Sequence, residues 1–304
     1  MNKNIMNLMK YKVWYLVVSL VLMLPGTVYL LKEGLHLAID FTGGSIITFS
    51  FSPMENEETI VRDVFKEKGV DIESVRLDKQ EKTTAEIKTK PLDTAKFDEL
   101  KNGLSEKFAQ NNFEQKSFET VGPVVGAETA KKAFVALAWA MIGIMSYIAY
   151  AFRNIPKPYS SIKFGISAII AMFHDAYVVI GFFAILGHYF GVEIDALFIT
   201  ALLTVLGFSV HDTIVVFDRI RENLRKLPKS FNFEEVANFS VVETLARSLA
   251  TSFTVVLTLS SLYVLGGASI KNFVLAMLVG IISGTYSSIF TATPILVLWE
   301  KAKR

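Results

Sequence analysis

The chain has 304 residues, 52% of them apolar and 20% charged, with a formal net charge of +2. It is too apolar for a soluble domain and too charged for a protein wholly embedded in lipid. A membrane bundle carrying one soluble domain fits both figures. The absence of cysteine excludes disulfides, zinc–thiolate sites and thiol nucleophiles.

Residues 1–31 read as a short N-terminus and a first membrane span, VWYLVVSLVLMLPGTVYLL, preceded by Lys3, Lys10 and Lys12. A cleaved signal peptide shares that charged start. The run is long for one, however, and no small-x-small cleavage site follows, so it is expected to stay as an anchor. Residues 32–130 are polar, with short alternating runs. Ser45–Phe51, Val70–Leu77, Ala85–Thr89 and Phe113–Val121 read as strands. Glu55–Lys68 and Asp93–Gln110 have helical spacing, and Asp78–Lys82 reads as a turn. The order βαββαβ predicts a ferredoxin-like α+β domain.

Residues 131–304 hold the other five spans: Ala133–Phe152, Phe164–Gly187, the roughly twenty mostly apolar residues that open the stretch Asp195–Asn223, Leu249–Gly266 and Phe273–Leu298. The fold class is therefore a six-span helical membrane protein with one extracytoplasmic ferredoxin-like domain. Lys and Arg crowd the loops after the second and fourth spans and the C-terminal tail, while the short loops on the other side hold only Lys271. Lys131 and Lys132 run against this pattern without outweighing it. The positive-inside rule then puts both termini in the cytoplasm and the soluble domain outside.

Polar residues inside the apolar spans point to function, because a carboxylate at the centre of a membrane helix costs about 2.5–3.5 kcal/mol on insertion scales. The third span carries His174 and Asp175, with Ala168 and Ala171 on the carboxylate's face. The fourth carries His211 and Asp212, and the fifth opens on Arg247. Similar depth predicts a switchable Asp212–Arg247 ion pair, in which the arginine favours the ionised form and burial opposes it. Thr251, Thr254, Thr258 and Ser261 follow Arg247 down one face. They read either as packing glue or as a wet proton path to the pair. His211, His174 and Asp175 likewise read as path members or as packing groups. Gly280, Gly284, Ser287 and Thr291 line one side of the sixth span. Asp218 and Arg221 are spaced to pair at a solvated helix end.

The doubled His-Asp lacks the further ligands of a metal-dependent phosphohydrolase, and FSVHDT is not the GxGD of an intramembrane aspartyl protease. No Walker A, zinc-ligand spacing or serine elbow occurs. No catalytic residue, metal site or enzymatic activity is expected.

Four segments carry a resemblance: IDFTGGS (Ile39–Ser45), VGPVVGAE (Val121–Glu128), HDTIVVFDRIREN (His211–Asn223) and ETLARSLATSFT (Glu243–Thr254). With six spans and one large outer loop, the chain resembles the six-span branch of the SecD/SecF family of protein-export membrane proteins, within the RND superfamily. The resemblance implies a subunit of the bacterial inner-membrane Sec machinery. It would act with SecD beside the SecYEG channel, with YajC or YidC as further partners, on unfolded secretory polypeptides among membrane lipids. Protons would be the coupling ion, with no cofactor and no nucleic acid. The family's membrane Asp and Arg map onto Asp212 and Arg247. The family position before the Asp is often Asn and is His211 here. The family's other acid lies on SecD, expected as a separate chain. Asp40, Phe41, Gly43 and Gly44 belong to the family motif at the domain's entry. There the glycines supply either backbone freedom or tight packing. The alternative function is half of an RND exporter of lipids or small molecules, which would want larger outer domains.

Overall fold

The computed structural model describes residues 6–79 and 83–302. In chain order the elements are α1 (Lys12–Lys32), α2 (Ile39–Thr42), β1 (Gly44–Phe51), α3 (Glu57–Glu67), β2 (Ile72–Lys79), β3 (Thr83–Thr89), α4 (Thr94–Lys107) and β4 (Glu114–Val121). There follow α5 (Pro123–Ala151), α6 (Ser161–Phe190), α7 (Ala196–Lys226), α8 (Phe233–Leu265), α9 (Lys271–Ser287), a π-helical turn (Ser288–Ala292) and α10 (Thr293–Lys301). They divide into two compact units, Leu37–Phe134 and the remainder. The expected domain of residues 32–130 is therefore displaced by about a turn at each end.

The smaller unit is built on a four-stranded antiparallel sheet in the order β2-β3-β1-β4. This is the ferredoxin-like arrangement that the βαββαβ pattern predicts. Alternate residues of β1 and β3 (Ile47, Phe49, Phe51, Ala85, Ile87) face α3 and α4. They close a core with Val61, Val64, Phe65, Phe97, Leu100, Leu104 and Phe108. Asp93 caps α4, its carboxylate accepting from Lys96 N at 2.7 Å. Part of the turn expected at Asp78–Lys82 lies outside the described residues, and Asp78 and Lys79 extend β2.

Among the described residues, six helices are long and apolar enough to cross a membrane: residues 8–32, 123–151, 161–190, 196–226, 233–265 and 271–301. Two of them start earlier than hydropathy alone suggests. α5 begins at Pro123 rather than Ala133, so Pro123–Glu128 of the VGPVVGAE segment forms its first turns. α8 begins at Phe233 rather than Leu249, behind a reciprocal cap in which Asn232 and Glu235 bond each other's backbone at 3.0 and 2.8 Å. That added stretch is amphipathic. It buries Phe233, Val236, Ala237, Ser240 and Val241 and turns its charges outward, so a hydropathy window passes over it.

Glycines set the closest helix crossings. A Cβ on Gly26 of α1 would lie 2.6 Å from Gly181 Cα of α6, and one on Gly280 of α9 would lie 2.2 Å from Val205 of α7. Small residues let membrane helices approach in this way. As a result α6, α7 and the sixth span form the buried centre of the bundle, with α1, α5 and α8 around it.

Candidate functional site

Asp212 sits midway along α7 with 8% of its surface exposed. Both of its oxygens are held by serine hydroxyls. Ser248 of α8 donates to Oδ1, and Ser288, the first residue of the π-helical turn, donates to Oδ2 at 2.5 Å. The structure does not bring Asp212 and Arg247 into the expected ion pair. Arg247 is exposed and, among the described residues, pairs with no carboxylate. The register explains why. Asn223 reaches Ser240, Arg219 reaches Glu243 and Asp212 meets Ser248, so α7 and α8 run antiparallel. The contact falls on the residue after Arg247, and one helical step turns the arginine about 100° away.

Stepping back one residue from that contact on two antiparallel helices rotates both side chains to the same side. His211 and Arg247 accordingly share an exposed face. Thr200, Thr204 and Gly207 extend it along α7, and Thr251, Thr254, Thr258 and Ser261 extend it along α8. Thr254 and Thr258 bond carbonyls of their own helix, at Thr251 and Thr254. The threonine stripe therefore lies on the outside of this chain and does not lead through its interior to Asp212.

Beside Arg247 a cleft of about 480 Å³ is lined by Val215, Asp218, Arg219, Glu222, Glu243 and Thr244. Arg219 forks onto Glu243 (2.7 and 2.8 Å) and reaches Glu222 at 2.6 Å, while Asn223 donates to Glu243 at 2.7 Å. Asp218 pairs with Arg221 as the spacing predicts. Arg219, between them, ties α7 to the early part of α8.

Asp175 is fully buried in α6. Its Oδ2 accepts from Ser209 of α7 and Ser287 of α9, each at 2.5 Å. Its Oδ1 accepts from Ser283 at 2.7 Å and lies 3.1 Å from His174 Nδ1. Ala168 and Ala171 are buried on the same helix, as their spacing predicts. His174 Nε2 is buried with no partner among the described residues. Among those residues no group of three or more His, Cys, Asp and Glu could hold a metal ion.

The serines that meet the two carboxylates (Ser209, Ser248, Ser283 and Ser288) escape sequence reasoning, which singles out the threonines and Ser287. The available signal was positional. Ser283 and Ser287 are one turn apart on the face of Gly280 and Gly284, where a neighbouring helix comes close enough to be touched.

At the domain's entry, Phe41 is buried, Asp40 is half-buried, and Gly43 and Gly44 have φ of +74° and +135°. A Cβ on Gly43 would lie 2.8 Å from Pro123 Cα, and one on Gly126 would lie 2.7 Å from Gly43 N. The two glycine motifs thus pack into each other. Of the two readings of the glycine pair, this geometry is the tightly packed one.

Residues 101–302 match the family described as protein export membrane protein SecD/SecF, C-terminal, and residues 28–53 match the SecD/SecF GG motif. The chain is 48% identical to the protein translocase subunit SecF of Thermobaculum terrenum, over 97% of this chain and 94% of that one. It is 33% identical to the protein translocase subunit SecDF of Bacillus subtilis, over 94% of this chain and 37% of that one. Its fold matches the crystal structure of SecDF, a translocon-associated membrane protein from Thermus thermophilus, with a TM-score of 0.81 and 32% identity. That match covers 98% of this chain and 39% of the other. The chain thus spans about two-fifths of the SecDF chains that it matches.

Proposed function

The chain belongs to the SecD/SecF family of protein-export membrane proteins, and from that premise we propose that this multi-pass Sec export subunit couples proton movement to export through Asp212. The observation that carries the reading is the pair of neutral hydroxyls on a carboxylate buried at mid-helix. A hydroxyl donates to an ionised carboxylate and accepts from a protonated one, so Asp212 can change protonation without leaving a buried group unpaired. A charge-locked partner would hold one state. One charge crossing 100 mV supplies about 2.3 kcal/mol, enough to bias a two-state helix arrangement by tens of fold. The work is ion-coupled and mechanical, with no cofactor and no enzymatic step.

SecD fits the exposed polar face of α7 and α8. Thr200, Thr204, His211, Arg247, Thr251, Thr254 and Thr258 would be costly against lipid tails, and a second helical bundle can satisfy them. Arg247 and His211 then act at that interface, Arg247 as the partner of an acid that changes charge. His174 and Asp175 stand behind Asp212 in this chain. The loop charges support cytoplasmic termini in the bacterial inner membrane and a domain outside that meets unfolded secretory polypeptide. SecYEG, with YajC or YidC, is the machinery beside which such a subunit works, among membrane lipids.

The test is secretion in cells whose only copy carries Asp212→Asn or Arg247→Met. Export should fall while the chain accumulates and copurifies with SecD normally. Normal export by Asp212→Asn would sink the reading.

A further inference from the structure

Asp175 and Asp212 are on different helices and share no contact, yet adjacent residues of the sixth span hold them. Ser287 donates to Asp175 Oδ2 and Ser288 donates to Asp212 Oδ2, both at 2.5 Å. Consecutive helical residues point about 100° apart, so one short segment faces α6 and α7 together. The π-helical turn starts at Ser288. Such turns interrupt the regular ladder, often at functional sites.

The two carboxylates differ in how they are held. Asp175 has three hydroxyls and an imidazole nitrogen on its two oxygens, close to the four lone-pair sites that a carboxylate offers. It is saturated, and through Ser209, Ser283 and Ser287 it ties α6 to α7 and α9. Asp212 has one hydroxyl per oxygen and sites to spare. Each serine of the pair also has a second acceptor one turn back on its own helix: Gly284 O at 3.3 Å for Ser287 and Thr285 O at 3.2 Å for Ser288. When Asp212 gains a proton, its O–H can donate to Ser288 Oγ while the Ser288 proton turns to the Thr285 carbonyl. No buried group loses a partner in that exchange.

We propose that Asp175 is the positioning residue of the Asp212 proton site. It fixes Ser287, and through the adjoining peptide it sets Ser288 as the adaptable hydroxyl on Asp212. This rests on Asp212 being the proton carrier. Asp175 then acts through these hydroxyls, and its saturated cage holds the sixth span in register.

The experiment uses the full chain with SecD in sealed membrane vesicles and follows proton flux with a pH-sensitive dye across external pH. Asp175→Asn, Ser287→Ala and Ser288→Ala should each displace the midpoint of the pH profile by about half a unit or more. Combining Asp175→Asn with Ser288→Ala should move it no further than Ser288→Ala alone, the mark of residues acting through one arm. A merely structural role would lower the amplitude and leave the midpoint in place. If Asp212→Asn abolishes flux while the Ser287 and Ser288 variants keep the wild-type midpoint, the positioning role is overturned and the Asp212 reading stands. Additive shifts from Asp175→Asn and Ser288→Ala also overturn it. A wild-type profile from Asp212→Asn overturns both.

Discussion

Ser248 donates its hydroxyl to Asp212, one residue past the arginine that charge alone would nominate. This offset separates two jobs that a direct ion pair would merge. Asp212 is held by neutral hydroxyls inside the chain, and Arg247 lies on the exposed face of α8. A buried carboxylate pinned to a guanidinium would be hard to protonate, whereas one held by rotatable hydroxyls is not.

Ser248→Ala should therefore impair coupling more gently than loss of the carboxylate. One buried hydrogen bond is worth about 1 kcal/mol, so proton-dependent export should fall by roughly fivefold, with normal accumulation of the chain. Ser248→Thr keeps the hydroxyl and should restore most of the rate. Export kinetics in inverted vesicles measure both. Equal rates for the Ala and wild-type chains would show that Ser288 alone suffices.

The exposed polar face makes a mapping prediction. A photo-activatable residue at Thr254 or Thr258 should cross-link to SecD in intact membranes. One at Trp139, on the exposed side of α5, should not. Since the chain has no cysteine, single-cysteine cross-linking at the same positions gives an independent check. Capture of SecD only from α5 would place the interface on α5 instead.

Much of this arrangement is legible in the sequence. The period of two in Ser45–Phe51, the cap at Asp93 and the six apolar runs each reflect local rules, and local rules survive folding. The element order was enough to specify the sheet as β2-β3-β1-β4. Partner choice was not legible. Asp212 meets Ser248 because of the register between two helices, which the Arg219–Glu243 and Asn223–Ser240 bonds share further along the same pair. A one-residue offset on a helix moves a side chain by about 100°, more than depth along the axis can resolve. The early start of α8 was hidden for a different reason. Its first turns are amphipathic, and a window that averages hydropathy erases that pattern.

Gly43 is a test of packing against backbone freedom. Its φ of +74° is strained for other residues, and an added Cβ would press on Pro123. Gly69 shares a similar φ of +68° in the same unit but has nothing within 4 Å. Gly69→Ala should lose only the backbone contribution, about 1 kcal/mol. Gly43→Ala should lose more, on the order of 2–3 kcal/mol. Thermal unfolding of the purified full chain, read by protease sensitivity of the α/β domain, separates them. Equal losses would mean that the contact with Pro123 yields easily.

The crossing of α7 and α9 offers the sharpest steric prediction. A Cβ on Gly280 would lie 2.2 and 2.5 Å from the two methyls of Val205, a fully packed side chain. Gly280→Ala must push the helices apart or force Val205 from its rotamer, and overpacking of this kind costs about 1–3 kcal/mol. The strain should spread, because one turn further along the same crossing Gly284 of α9 meets Ser209, the serine that donates to Asp175. Val205→Ala removes the obstructing methyls at the cost of a small cavity. Combined with Gly280→Ala, it should recover part of the lost stability, a coupling that a double-mutant cycle in detergent-solubilised protein measures directly. Proton-coupled export should follow the same order, lowest in Gly280→Ala and partly restored in the double variant, because a separation of α7 from α9 reaches Asp175 first and Asp212 through Ser288. Strictly additive stabilities would mean that the two residues do not share this contact in the membrane.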